Sequence, residues 1–169
     1  ESTGVLHHMH EPMAGWKVLT DLLKPGGLMK IGLYSELARG EIVNARREIE
    51  SFGIGTSATE IKNFRKSITE SENKSLKQLD TIGDFYSLSE FRDLVFHVQE
   101  HRFTLPQITD CLDELGLKFC GFENTEALSN FREFYGEGVD ICDLVLWHEF
   151  EENHPDTFVT MYQFWCQKI

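Results

Sequence analysis

The stretch "GVLHHMHEPMAGWKVLTDLLKPGGLMKIGLYS", Gly4 to Ser35, decides the fold. Residues 3–8 are typical of the end of a strand that runs into a loop. Pro12 then begins a helix, because its missing N–H costs nothing in the first turn, and Lys24–Gly27 ends that helix. Leu28–Tyr34 is almost continuously apolar, which suits a strand covered on both faces, as in parallel sheets. Strand, helix and strand in succession predict a βαβ unit with a right-handed crossover.

The rest of the chain alternates between predicted helices and strands. The helices are indicated by apolar residues at helical spacing and by three capping boxes, which are Ser57 with Glu60, Ser87 with Glu90, and Thr104 with Gln107. Two strands are predicted, at Leu117–Glu123 and Phe158–Lys168, and residues 125–153 are predicted to form two helices. Four strands interleaved with helices indicate an α/β fold.

Size and composition narrow the class of protein. The 169 residues suffice for one domain with a sizeable core. The net charge of −12, without a long block of lysine or arginine, argues against nucleic acid as a partner. No apolar run is long enough to span a membrane. The four widely spaced cysteines favour reduced, buried thiols in a cytoplasmic protein, and a chain that begins with Glu1 rather than Met is expected to lack its true start.

The segments quoted above resemble class I S-adenosylmethionine-dependent methyltransferases. Gly4–Ser35 is similar to that family's fourth strand, following helix and fifth strand, where a "vLhHl.dP" segment precedes an "L.PGG" turn. Phe103–Glu123 is similar to the next helix and sixth strand, and Met161–Lys168 to the antiparallel last strand. Through "LYSELAR" and "DLVFHVQEHRF" the chain most resembles bacterial methyltransferases often fused to tetratricopeptide repeats. The resemblance implies a partial Rossmann-like sheet, from the fourth to the seventh strand, in one domain spanning 1–169.

The chain also departs from the family. No GxGxG loop follows a strand, and the acidic residue that holds the cofactor ribose has no counterpart. Since the cofactor lies over the carboxyl ends of the strands, only one wall of its crevice is present. The chain is therefore interpreted as the C-terminal half of a methyltransferase domain, with helical insertions at about 36–103 and 124–155. The parent protein would transfer a methyl group to an unknown acceptor, whereas this chain alone is expected to be inactive and not to bind S-adenosylmethionine tightly.

The resemblance implies roles for ten residues. Those expected to bind the cofactor lie at the end of the fourth strand and in its loop: Thr3, Gly4, Val5 and His7. Those expected to act in catalysis are His8, Glu100 and His101, and those expected to bind the substrate are Tyr34, Arg39 and His97. Simpler interpretations stay open, with one histidine of the loop packed against the following helix, and the pair His97 and His101 on a solvated helix end.

A zinc site is the competing interpretation of two histidine-rich segments. "HVQEH", His97 to His101, matches the H-x-x-E-H pattern, for which Glu149 or Glu151 could supply a third ligand. The pattern needs a regular helix, but the segment runs directly into the Thr104 cap. Three ligands from the loop at residues 7–10 are geometrically awkward, because neighbouring side chains on a strand point in opposite directions. No metal site is therefore predicted.

A non-catalytic interaction module is the alternative from another class. If the first three strands of the sheet are absent, the strand that ends at residues 3–6 presents an unpaired edge. Such an edge invites pairing with another chain, so a homodimer formed across it is the predicted assembly.

Overall fold

The structure, a computed structural model, describes residues 1–96 and 100–169. These residues form two compact units. The first unit contains residues 1–38 and 100–169, and the second contains residues 39–96. The first unit holds the sheet, whereas the second is helical.

The sheet of the first unit has five strands. They are β1 (Ser2–Thr3), β2 (Leu28–Ser35), β3 (Arg102–Phe103), β4 (Leu117–Phe122) and β5 (Tyr162–Lys168). The order is β1-β2-β5-β4, with β3 paired to β2 off this path. Strands β1 and β3 run parallel to β2, while β5 runs antiparallel to both β2 and β4. This arrangement confirms the predicted partial sheet with an antiparallel last strand.

The helices follow the predicted pattern closely. They are α1 (Pro12–Leu22), α2 (Gly40–Ser51), α3 (Ala58–Glu70), α4 (Lys74–Lys77), α5 (Leu88–Phe96), α6 (Leu105–Glu114), α7 (Thr125–Tyr135) and α8 (Leu144–Asn153). The capping boxes at the start of α3 and α6 are complete. In each, the side chain of the cap residue accepts from the backbone N–H three residues later, and the side chain of that later residue accepts from the backbone N–H of the cap. In the described part of the chain, none of these helices is long and apolar enough to cross a membrane.

Two sequence interpretations were wrong. Strand β3 was not predicted, because two residues immediately before a helix cap carry no periodicity and are fixed by pairing Tyr34 with Arg102. The cysteines were expected to be buried, yet Cys120 is exposed. Alternate residues of a strand face opposite sides of the sheet, and the side of β4 that carries Cys120 is open.

The core of the first unit is built largely from aromatic rings. Phe131 of α7 and Trp147 of α8 stack with ring centroids 3.8 Å apart, and both side chains are fully buried. Trp147 also donates from its indole nitrogen to the carbonyl oxygen of Ile141, 2.9 Å away. Trp16 of α1 packs against Phe164 of β5 at 6.1 Å. These contacts pack α7 against α8 and hold α1 on the sheet.

The second unit has its own apolar core. Ile42, Ile61, Phe64 and Phe91, contributed by α2, α3 and α5, are all buried in it. Arg46 of α2 donates to the carbonyl oxygen of Leu94, 2.8 Å away. The apolar residues at helical spacing on these helices are therefore buried against one another within residues 39–96.

Candidate functional site

The loop after β1 is built around a glycine and a short helical turn. Gly4 has a φ of +74°, a left-handed conformation that residues with a side chain rarely adopt. The chain then forms a 3₁₀ turn at Leu6–His8. The strand ends at Thr3, so the two histidines lie on the turn that follows it, as the sequence predicts. His7 is fully buried, whereas His8 is half-buried.

An aromatic cluster joins this loop to the carboxyl end of β2. The ring of His7 stacks on the ring of Tyr34, with centroids 3.9 Å apart. The ring of His8 lies edge-on to the ring of His7, with centroids 4.4 Å apart, and its centroid is 5.9 Å from that of Tyr34. Because β1 and β2 are parallel, their carboxyl ends meet at one edge of the sheet, and the three side chains come together there.

The segment before α6 reaches the same edge. The backbone N–H of His101 donates to the carbonyl oxygen of His7 at 2.8 Å. Next to it, the Nε of Arg102 donates to the carboxylate of Glu36 at 2.8 Å, just beyond the end of β2. Residues 100–103 thus lie beside both the histidine loop and the end of β2.

The structure brings together most of the residues singled out from the sequence. At the edge of the first unit lie the six residues Thr3, Gly4, Val5, His7, His8 and Tyr34, with Glu100 and His101 on the adjoining segment. Arg39 belongs to the second unit, where it is buried and precedes α2. His97 lies outside the described residues. The roles of these residues remain predictions.

The structure bears on the zinc interpretation at two points. Helix α5 is described as far as Phe96, and Glu100 and His101 lie outside any helix. Within residues 1–96 and 100–169, no group of three or more His, Cys, Asp or Glu side chains is placed to hold a metal ion.

Sequence reasoning missed a buried polar network at the same edge. The carboxylate of Glu151, on α8, is fully buried. It accepts hydrogen bonds from the hydroxyl of Ser35 at 2.5 Å and from the phenol of Tyr162 at 2.6 Å. Ser35 is the last residue of β2 and Tyr162 is the first residue of β5. The network therefore joins α8 to two neighbouring strands.

Burial dominates the electrostatics of this network. Desolvation raises the pKa of Glu151, although the hydrogen bonds from Ser35 and Tyr162 and the nearby His148 act in the opposite direction. Desolvation and the charge of Glu151 also raise the pKa of Tyr162. The sequence held one weak signal, since Glu151 follows Leu144 and Trp147 at helical spacing on the buried face of α8.

The fold and this geometry can be compared with known proteins. No family model matches the chain. An uncharacterised protein of Synechococcus, syc1184_c, is 26% identical over 130 residues, covering 73% of this chain and 31% of that protein. The structure of PKMT2 from Rickettsia typhi matches with a TM-score of 0.60 at 15% identity, covering 98% of this chain and 34% of that one. PKMT2 in complex with AdoHcy matches with a TM-score of 0.59 at 16% identity, covering 98% of this chain and 33% of that one.

These comparisons establish the fold. The mixed α/β, partial Rossmann-like architecture of this chain is that of about a third of PKMT2. The chain likewise spans about a third of the Synechococcus relative.

Proposed function

We propose that this chain is the C-terminal part of a protein that transfers a methyl group from S-adenosylmethionine to an acceptor. The observation that carries the proposal is the likeness of 98% of the chain to PKMT2 in its complex with AdoHcy. AdoHcy is what remains of S-adenosylmethionine after the methyl group has left. The order β1-β2-β5-β4 with antiparallel β5 supports the same interpretation, because it provides the second half of a Rossmann-like sheet.

The proposed cofactor side is the loop after β1. Thr3, Gly4 and Val5 lie at the carboxyl end of a parallel strand, where ligands of open α/β sheets bind. Gly4 allows the chain to turn sharply there, and His7 fixes the loop by stacking on Tyr34. The glycine-rich loop and ribose carboxylate would come from the preceding part of the protein, so this chain alone would bind the cofactor weakly.

The proposed acceptor side consists of residues near the aromatic cluster. Displacement at a sulfonium methyl depends chiefly on holding the nucleophile in line with the methyl group, and a base helps where the nucleophile must lose a proton. His8 is half-buried beside Tyr34, and the segment of Glu100 and His101 is held next to it by the bond to His7. We assign these three residues to orienting and deprotonating the acceptor, with Tyr34 binding it.

The test requires the longer protein. The DNA upstream of the codon for Glu1 is sequenced, and the chain it encodes in frame is expressed and titrated with AdoHcy by calorimetry. The restored protein is expected to bind AdoHcy at least about a hundredfold more tightly than the present chain, a difference of about 2.7 kcal/mol. A restored protein that contains the glycine-rich loop and yet shows no binding would refute the proposal.

A non-catalytic interaction module is the second candidate. In the described sheet β1 is the terminal strand of the order, and Val5 and Met9 beside it are 55% and 38% exposed. An edge of this kind pairs readily with another chain. The module predicts that the present chain sediments as a dimer which Val5→Lys converts to a monomer, and a monomer at about 100 μM would exclude it.

A further inference from the structure

A groove lies along α7. It consists of two adjoining cavities of about 240 and 470 Å³ that share Asn130 and Thr157. One cavity lies toward the N-terminus of α7, beside Asn124 and Thr160, and the other lies toward its C-terminal half, beside Phe134. We call these two cavities together the α7 groove. Its elongated form suits an extended peptide better than a compact small molecule.

One wall of the α7 groove is aromatic. Phe134 is 54% exposed, and its ring meets His154 edge-on at 5.3 Å and Phe150 at 5.6 Å. His154 in turn stacks on Phe150 at 4.3 Å, with its Nδ1 3.0 Å from the carbonyl oxygen of Phe150. An exposed phenylalanine ring in a groove offers a face over which a cationic side chain binds favourably.

The rim of the α7 groove is acidic. Glu126, Glu133 and Asp156 line it, and no lysine or arginine is among the described residues that do so. The whole chain carries a net charge of −12, so the field beyond the rim also attracts cations. Charge complementarity therefore favours a basic occupant over an acidic or neutral one.

The walls of the groove are held in place before any ligand binds. Behind α7, Phe131 stacks on Trp147 of α8 at 3.8 Å, and Tyr135 donates to the carbonyl oxygen of Leu146 at 3.3 Å. Asn124 caps α7 by accepting from the backbone N–H groups of Glu126 and Ala127. A groove with fixed walls loses little conformational entropy on binding, which favours specific recognition.

We propose that the α7 groove binds a basic peptide segment, with a lysine or arginine side chain lying against Phe134 and His154. Neighbouring cationic residues of the peptide pair with Glu126, Glu133 and Asp156. The inference rests on the groove itself and does not depend on methyl transfer.

The test is a direct titration of the present chain. A fluorescein-labelled octapeptide of alternating lysine, arginine and serine is followed by anisotropy at low and physiological salt. The expected result is saturable binding that weakens by about tenfold or more as salt is raised, because exposed ion pairs are screened. The same peptide with glutamine in place of every lysine and arginine is expected not to bind.

Variants locate the site. Glu133→Gln with Asp156→Asn is expected to weaken binding by about three- to tenfold, and Phe134→Ala by about threefold. Phe134 is largely exposed, so its truncation leaves the core intact, which circular dichroism checks. Glu114→Gln, at the exposed end of α6 and outside the groove, serves as the matched control and is expected to bind like the unmodified chain.

Four outcomes would overturn the proposal. Equal binding of the glutamine peptide would show an apolar site, and equal binding of spermine would show a site for small polycations. Binding that the groove variants leave unchanged would place the peptide elsewhere. Absence of binding at about 1 mM peptide would mean that the binding free energy is smaller in magnitude than about 4 kcal/mol, and that the groove does not bind such a peptide.

Discussion

The hydroxyl of Ser35 donates a 2.5 Å hydrogen bond to the carboxylate of Glu151, which lies 116 residues further along the chain. The same hydroxyl accepts from the backbone N–H of Ala38 at 3.0 Å, so it also shapes the turn that follows β2. Tyr34, the partner of His7 in the aromatic cluster, immediately precedes Ser35. Through Ser35, α8 therefore fixes the strand end that carries the candidate site.

Removal of the phenol that bonds Glu151 should destabilise the first unit. Tyr162→Phe keeps the buried ring but leaves one carboxylate oxygen without its 2.6 Å donor, and a buried polar group left unpaired costs about 1–3 kcal/mol. Urea denaturation followed by tryptophan fluorescence measures this loss. Tyr86→Phe is the matched control, because Tyr86 is exposed, and its free energy of unfolding should change by less than about 0.5 kcal/mol. Equal effects of the two substitutions would contradict the assigned network.

The raised pKa of Glu151 gives a pH dependence of definite sign. The folded state holds the proton of this carboxyl more tightly than the unfolded chain does, and in the unfolded chain the carboxyl has its ordinary pKa of 4.5. Its contribution to stability is therefore fully present below that value and is lost as the pH rises through the folded pKa. Glu151→Gln abolishes this titration. Relative to Glu151→Gln, the unmodified chain should lose stability as the pH rises above about 4.5.

Denaturation at a series of pH values, from about 4 to 8, measures that difference. The free energy of unfolding of Glu114→Gln, a substitution at an exposed position on α6, should change with pH in the same way as that of the unmodified chain. A difference between the unmodified chain and Glu151→Gln that stays constant, or changes in the opposite direction, would show that the pKa of Glu151 is not raised.

The elements that the sequence predicted well are those fixed by local interactions. Pro12 begins α1 because its missing N–H costs nothing in the first turn. The boxes at Ser57 and Thr104 begin α3 and α6 because each cap satisfies backbone N–H groups within the next few residues. The strands at 28–35 and 117–122 were recognisable because continuous or alternating apolar residues match their burial. Only neighbours along the chain are needed for these inferences.

What the sequence could not supply is fixed by contacts between distant residues. β3 exists because Arg102 and Phe103 pair with Tyr34 and Ser35. Two residues are too few to show the alternation by which a strand is recognised in a sequence. The site shows the same division. The histidine loop was predicted from its position after a strand, but the stacking of His7 on Tyr34 and the burial of Glu151 required the tertiary structure.

Gly32 is a further position at which distant segments meet. A Cβ added to this residue of β2 would lie 2.7 Å from the Cγ2 of Thr3, 2.9 Å from the sulfur of Met161 and 3.0 Å from the Cα of Thr3. Gly32→Ala should therefore push β1 away from β2 and cost about 1–3 kcal/mol. Thermal denaturation measures the loss. Gly40→Ala, at the start of α2 where an added Cβ meets nothing within 4 Å, should leave the melting temperature equal or higher, since alanine favours helix.

The four cysteines should differ sharply in reactivity toward a thiol reagent. Cys120 is exposed, Cys111 and Cys142 are partly buried, and Cys166 is fully buried in β5. Desolvation raises the pKa of Cys166 to about 12, and it also raises the pKa of Cys111 and of Cys142. The thiolate is the reactive form, so burial removes both access and nucleophilicity.

Treatment of the native chain with Ellman's reagent at about pH 8 should therefore modify Cys120 first and leave Cys166 intact until the chain unfolds. Mass spectrometry of tryptic peptides identifies the modified residue. Cys120→Ser should remove the fast phase, whereas Cys166→Ser should leave it unchanged. A fast phase that survives Cys120→Ser would mean that another thiol is open to solvent, and that the exposed face of β4 is not the one assigned.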